Sequence, residues 1–212
     1  VVPKIKQFFG NMTDNQKPFQ VAISGGEFTE SPYFEEILKT FYELDIMPNY
    51  TTNGMFMDFP AIRIDSIIEA TKKYCGGVAV SCHPHLKKYW VSSAKLFYLN
   101  RIKLNFHIII SDKESCDYFK EIYNEWENIV DYFVLLPYIS QGRAKKKDIE
   151  WEYLVSVMPE NTEKIAFGAY FYPYLTQNRN LFDISLYEPE IMSKFLDLKD
   201  MKIYGSSFEL EK

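Results

Sequence analysis

Cysteine is scarce in this 212-residue chain: Cys75, Cys82 and Cys116 are the full set. An odd, thinly spread trio argues against a disulfide framework and fits a reducing compartment, so the expected location is cytoplasmic. Arginine is scarce too, with four residues, and the net charge is −5. A protein that works by neutralising phosphates needs the opposite balance, so no nucleic-acid partner is expected. No apolar run approaches the ~18 residues of a membrane span, which removes a membrane partner from consideration. Lys4 and Lys6 precede no apolar core, so nothing near Val1 resembles a signal peptide. An initiating Met is missing as well, and the chain is expected to begin partway through a gene product.

Aromatic residues, by contrast, are plentiful. They make up 17% of the chain, with 17 Phe and 16 Tyr, inside an apolar fraction of 47%. That supply is expected to fill a large core rather than a binding surface.

Strand-like runs recur at Phe19–Ser24, Ile46–Thr52, Gly77–Cys82, Lys103–Ser111, Tyr132–Pro137 and Ile165–Tyr172. Helical patterns lie between them. Phe34, Ile37, Leu38, Phe41 and Leu44 share one face after Ser31-Pro32, which reads as an N-cap and first helical position. Asp65–Tyr74 and His85–Asn100 follow, and Glu114–Ile129 carries a stripe of Phe119, Ile122, Tyr123, Trp126 and Ile129. Strand and helix alternating every thirty residues or so indicate a parallel α/β fold. Right-handed crossovers gather the strands' carboxyl ends on one edge. Ser24–Glu27, Thr52-Asn53, Ser81–His83, Ser111, Pro137-Tyr138 and Tyr172 would meet there. Tyr170, Tyr172 and Tyr174 alternate as a half-buried last strand would. Beyond Leu175 the rhythm breaks, with a short helix expected over Ile191–Leu196 and a terminal strand over Met201–Glu209. The expected division is a β/α domain over 1–174 and an extension packed on it over 175–212.

The most informative stretch is Ser24-Gly25-Gly26-Glu27, which closes the apolar run Phe19–Ile23. Glycines at a strand end let a ligand lie against the backbone, since no Cβ intrudes. The acid beside them can meet a positive charge. The carboxyl end of a strand is also where β/α proteins build their sites. The second strand ends in Thr51-Thr52-Asn53-Gly54, and further on Leu135-Leu136-Pro137-Tyr138 leads to Gln141-Gly142-Arg143-Ala144.

This ordered set, over roughly Phe19 to Lys147, closely resembles the core of radical S-adenosylmethionine (radical SAM) enzymes. The resemblance implies a partial (β/α)6 TIM-like barrel of parallel strands that holds SAM and a [4Fe–4S] cluster. It implies a 5′-deoxyadenosyl radical that takes hydrogen from a small-molecule or peptide substrate, with an electron donor such as flavodoxin or ferredoxin. Carried onto this chain, Gly25, Gly26 and Glu27 would receive the methionine ammonium, with Ser24 beside them in the cofactor site. Thr52 would belong to the cofactor site, Asn53 and Ser81 would face the SAM carboxylate or ribose, and His107 would line the cavity. Pro137, Tyr138 and Gly142 would lie near the adenine. Phe28 stands where that family commonly has proline. One departure is larger. The family's Cys-x3-Cys-x2-Cys loop has no counterpart among the 24 residues before Gly25, and the first strand and cluster loop are expected to be absent from this chain. Converging thiolates are what a cluster needs, and the three cysteines lie too far apart in sequence to supply them. No residue of the chain is assigned as a metal ligand or as catalytic.

Two other readings compete. Cys82-His83-Pro84-His85 could present two imidazoles to a metal at a strand end, as in a metal-dependent hydrolase barrel. The chain could equally be a cluster-free barrel that only binds a ligand. Arg143–Lys147 reads as a solvated charge run, with attraction of an acidic substrate or leader peptide as its functional alternative.

Overall fold

The computed structural model describes residues 1–139, 149–177, 194–199 and 201–205. In chain order the elements are α1 (Val2–Gly10), β1 (Gln20–Ile23), α2 (Phe34–Glu43), β2 (Met47–Thr52), α3 (Ala61–Tyr74), β3 (Gly77–Ser81), α4 (Lys87–Leu99) and β4 (Leu104–Ile110). Then come α5 (Lys113–Trp126), β5 (Tyr132–Pro137), α6 (Trp151–Val157), β6 (Ile165–Phe167), α7 (Tyr172–Gln177), β7 (Phe195–Asp197) and β8 (Lys202–Tyr204). The strands β1 to β6 form one sheet in chain order, with β1 at one end of the order. Adjacent strands in chain order, joined by helices and paired in parallel, make a partial (β/α)6 barrel fold, as the sequence predicts.

The chain divides into two compact units. One holds Val1–Leu104 and the described residues 194–199 and 201–205; the other holds the described residues from Asn105 to Gln177.

In the first unit the core forms where the apolar stripes of the helices meet one face of the strands. Tyr50 and Thr52 of β2 and Val78 and Val80 of β3 are buried, while Asn49, Thr51, Ala79 and Ser81 on the opposite face are half-buried. α2 contributes Phe34, Ile37, Leu38 and Phe41 to the core, and α1 adds Val2, Ile5 and Phe9, whose ring meets Phe41 edge-on at 5.6 Å. Asp45, at φ 58°, closes the α2 turn. α4 brings Trp90, Ala94 and Phe97 to the core.

In the second unit β4 alternates, with Phe106, Ile108 and Ile110 buried and His107 half-buried between them. Phe106 packs on Trp126 at 5.2 Å and on Phe133 at 6.0 Å, so the α5 stripe is core as its spacing predicts. Ile129, at the end of that predicted stripe, lies beyond the helix and is half-buried. A capping box starts α5: Asp112 Oδ1 accepts from Ser115 N, and Ser115 Oγ accepts from Asp112 N, both at 3.0 Å.

Several sequence expectations need correction. Ser31 is not the α2 cap; its Oγ accepts from Tyr33 N within a turn, and the helix starts at Phe34. The last parallel strand stops at Phe167. Gly168 follows with its Cα pressed on β5, since a Cβ there would lie 2.5 Å from Leu136 Cδ2. Tyr170 then sits in a 3-10 turn and Tyr172 opens α7, so the tyrosine alternation is not a strand. Phe195 and Leu196, expected at the end of a helix, belong to β7, which pairs antiparallel with β8. The expected terminal strand is limited to Lys202–Tyr204 among the described residues. The rest of the expected helix over 191–196, and residues 206–209 of the expected strand, lie outside the described residues.

Candidate functional site

At the carboxyl end of β1 the chain turns through Gly25 at φ 106° and Gly26 at φ 60°. Only glycine adopts the first readily, and both lie in the region that penalises a Cβ. Ser24, Gly25 and Gly26 are exposed, and nothing in the described protein stands within 4 Å of where a Cβ would be on either glycine. The turn is thus an open cradle of backbone.

Glu27 follows in extended conformation and caps the 3-10 turn Phe28–Glu30. Its carboxylate is heavily engaged. Oε1 accepts from Thr29 Oγ1 at 2.6 Å, Thr52 Oγ1 at 2.8 Å and Thr29 N at 3.2 Å. Oε2 accepts from Asn53 N at 2.8 Å. Phe28, buried, locks the same turn from below through Phe34 at 4.9 Å and Tyr50 at 5.7 Å. Phe28 therefore does by packing what a proline would do by restricting the backbone. Arg63 of α3 adds a clamp, with Nη2 donating to Thr29 O at 3.2 Å and Ser31 O at 2.8 Å.

The β2 end continues the network. Thr52 is buried, and besides its bond to Glu27 its Oγ1 accepts from Gly54 N at 3.1 Å. Asn53 is half-buried and its Oδ1 accepts from Met55 N. Gly54 has φ 84°, and a Cβ there would lie 2.7 Å from both Ser93 Oγ and Tyr89 O, so only glycine lets this turn close on α4. Tyr89 also donates to Asp58 Oδ2 at 2.7 Å.

Of the sequence-predicted residues in the first unit, Glu27, Thr52 and Asn53 are brought into one hydrogen-bonded group, with Ser24, Gly25 and Gly26 beside it. Ser81 ends β3 on the half-buried face. Past it, the His83 and His85 rings lie 5.6 Å apart and 33° from parallel. His83 falls below its usual pKa because burial desolvates it and His85 stands beside it. No group of three or more metal-ligating side chains occurs among the described residues, so this pair has no third ligand of its own there.

In the second unit His107 is half-buried in mid-β4, and burial pushes its pKa down to about 4. It is a neutral imidazole at physiological pH. Pro137, at the end of β5, is buried, and Tyr138 is half-buried with its backbone N donating to Ile110 O at 2.9 Å. Ser111 is buried and packs on Ser115. Gly142 and the Arg143–Lys147 run lie outside the described residues.

The cysteines do not form a cluster site. Cys75 ends α3, Cys82 is buried past β3 and Cys116 is buried in α5. Burial pushes Cys75 up to about 12 and Cys116 up to about 11, and raises Cys82 strongly. An iron–sulfur cluster needs converging thiolates, and these thiols neither converge nor ionise readily. The described residues do not fit a [4Fe–4S] cluster.

Sequence reasoning missed Thr29 and Arg63. Arg63 had one local signal: it is one of only four arginines, three residues past a proline that starts a helix.

The partial (β/α)6 barrel fold is shared with solved proteins at low sequence identity. The chain is similar to SuiB of Streptococcus suis bound to S-adenosylmethionine, with 19% identity, a TM-score of 0.60, and coverage of 79% of this chain and 43% of SuiB. Against SuiB bound to its precursor peptide SuiA the TM-score is 0.63 at 20% identity, covering 90% and 47%. Against anSMEcpe with bound AdoMet and the Kp18Cys peptide it is 0.57 at 14% identity, covering 85% and 57%. The chain thus spans less than two thirds of the length of these proteins. No protein-family model and no curated sequence matches it. No helix among the described residues is long and apolar enough to cross a membrane.

Proposed function

We propose that this chain is the S-adenosylmethionine-binding core of a cytoplasmic radical SAM enzyme that acts on a peptide. The observation that carries the reading is the Ser24–Gly26 turn. It is an exposed backbone cradle at a strand's carboxyl end, its two glycines in left-handed conformation beside a fixed carboxylate. An ammonium needs acceptors in several directions, and strand-end carbonyls supply them. Asn53 and Ser81 serve the SAM carboxylate or ribose in the same reading. In the same reading His107 lines the cavity as a neutral imidazole. Tyr138 and the backbone near Pro137 serve the adenine.

Support for SAM comes from the fold shared with SuiB and anSMEcpe, each known with SAM bound. Support for a peptide substrate comes from SuiB bound to SuiA and anSMEcpe bound to Kp18Cys. Bound SAM supplies this superfamily's hydrogen-abstracting chemistry. The reading assigns the cluster's thiolates to residues other than those described, and reduction to a flavodoxin or ferredoxin.

Isothermal titration of SAM into the purified protein tests the binding step. Saturable one-to-one binding is expected, and its absence overturns the reading. Formation of 5′-deoxyadenosine by the complete gene product, reconstituted with iron and sulfide without oxygen, tests the chemistry.

A further inference from the structure

Three large apolar side chains are exposed on the rim that follows the Ser24–Gly26 turn. Ile62 is 81% exposed, Tyr33 53% and Met55 39%, with Pro32 and Pro60 exposed among them. Single exposed apolar residues are ordinary, whereas a gathered set marks a docking surface. Arg63 gathers this one. Its bonds to Thr29 O and Ser31 O hold the first turn of α3, where Ile62 lies, against the segment that leads to Tyr33. Met55 belongs to the 3-10 turn Met55–Asp58, which runs through Phe59-Pro60 into the same helix end. The core does not account for Ile62. α3 packs through Ile67, Ile68, Ala70, Thr71 and Tyr74, and helical spacing puts Ile62 on the opposite side.

The rim is also acidic. Glu30, Asp58 and Asp65 are exposed around the apolar residues, and Asp58 accepts from the Tyr89 hydroxyl. Arg63 is the only base between Lys39 and Lys72 in the sequence, and its guanidinium is turned onto backbone carbonyls.

We propose that this rim docks a segment of the peptide substrate in which an apolar side chain is flanked by Lys or Arg. The inference takes its occupant from the peptide-substrate reading and adds the chemistry of the segment. Apolar area supplies the contact, while the carboxylates favour cations and reject an acidic peptide. Glu27 ties Thr29 to the β2 end, so a segment seated here lies beside the proposed ligand turn.

The probe is a short fluorescein-labelled peptide with a Leu-Leu pair flanked by lysines in a Gly/Ser background, read by anisotropy. The parent should bind it saturably, about tenfold more tightly than counterparts with Glu for Lys or Ser for Leu. Tyr33→Ser with Ile62→Ser should cost about tenfold, since both side chains stand exposed in the free protein and lose contact only with the peptide. Glu30→Gln with Asp65→Asn should cost about fivefold and flatten the salt dependence. Glu125→Gln with Glu127→Gln removes the same charge from exposed positions at the end of α5, and should cost less than about twofold.

No saturable binding by the parent, equal binding of the acidic counterpart, unaltered binding by Y33S/I62S, or an equal loss from the α5 pair overturns the proposal. A parent dimer that Y33S/I62S dissociates, seen by sedimentation, assigns the rim to a second copy and overturns it too. SAM titration of the same proteins separates the two readings. SAM binding without peptide binding sinks the docking surface and leaves the SAM reading standing; peptide binding without SAM binding does the reverse.

Discussion

β1 and β4 are both parallel strands in one sheet, yet they are held by different means. β4 has seven residues, and the face carrying Phe106, Ile108 and Ile110 is closed to solvent, with Phe106 and Ile110 at 0% exposure. β1 has four residues, none of them buried, and Phe19 just before it is 85% exposed. β4 is secured by apolar burial worth roughly 25 cal/mol per Å². β1 is secured by its ladder to β2 and by the hydrogen bonds that Glu27 makes past its end. Burial is non-directional and tolerates approximate geometry, whereas hydrogen bonds fix positions. The strand built for stability and the strand end built for placement therefore differ in kind.

The comparison is sharpest at Phe106. Phe106→Ala removes a ring packed on Trp126 and Phe133 and should cost about 3–5 kcal/mol, read as a large fall in the denaturation midpoint. A cost below about 1 kcal/mol would mean that β4 is not secured by this core.

His107, on the other face of β4, makes a pH prediction of somewhat smaller size. Its folded pKa of about 4 lies below the unfolded value of about 6.5. Between those values the unfolded chain takes up a proton that the folded one refuses. Stability should therefore fall as pH drops from about 6.5 to about 4 and level off below, by at most about 3 kcal/mol. His107→Gln should remove that component, measured as a flatter stability curve across the same window. An unchanged slope would show that burial does not hold this imidazole neutral.

Gly26 tests the placement side. Gly26→Val puts a β-branched residue at φ 60°, costing about 1–2 kcal/mol of stability. It also places a side chain in the open space over the turn, and SAM titration should detect no binding. Normal SAM affinity in this variant would remove the turn from the proposed site.

What the sequence made legible follows the same divide. β5 is read at its true bounds because Tyr132–Pro137 is an unbroken apolar run, and the α5 face emerges because Phe119, Ile122, Tyr123 and Trp126 recur at helical spacing. These are burial patterns, and local ones. The glycine turn after β1 was legible because φ above zero favours one residue type. The role of Glu27 toward its neighbours was not, since Thr52 and Asn53 reach it from another strand end and no local pattern encodes that distance. Tyr170, Tyr172 and Tyr174 misled for the converse reason. Their alternation mimics a strand, but β6 ends where Gly168 meets Leu136, a tertiary contact that periodicity does not contain. α1 and α6 were missed because neither carries a long amphipathic repeat, with nine and seven residues.

The smallest effect is expected in β1 itself, and it bears most directly on how that strand is held. Val21 is half-buried and paired in register with Pro48 of β2. Val21→Ala deletes two methyl groups that already face solvent in part. A fully buried methylene is worth about 0.8 kcal/mol, so the loss here should stay below about 1 kcal/mol. The backbone ladder does not depend on the side chain, and neither do the bonds from Glu27 to Thr52 and Asn53. Equilibrium denaturation should thus show a small shift, and Asn53 amide exchange none. A loss of 2 kcal/mol or more would mean that β1 rests on burial after all, and the contrast with β4 would collapse into a difference of degree.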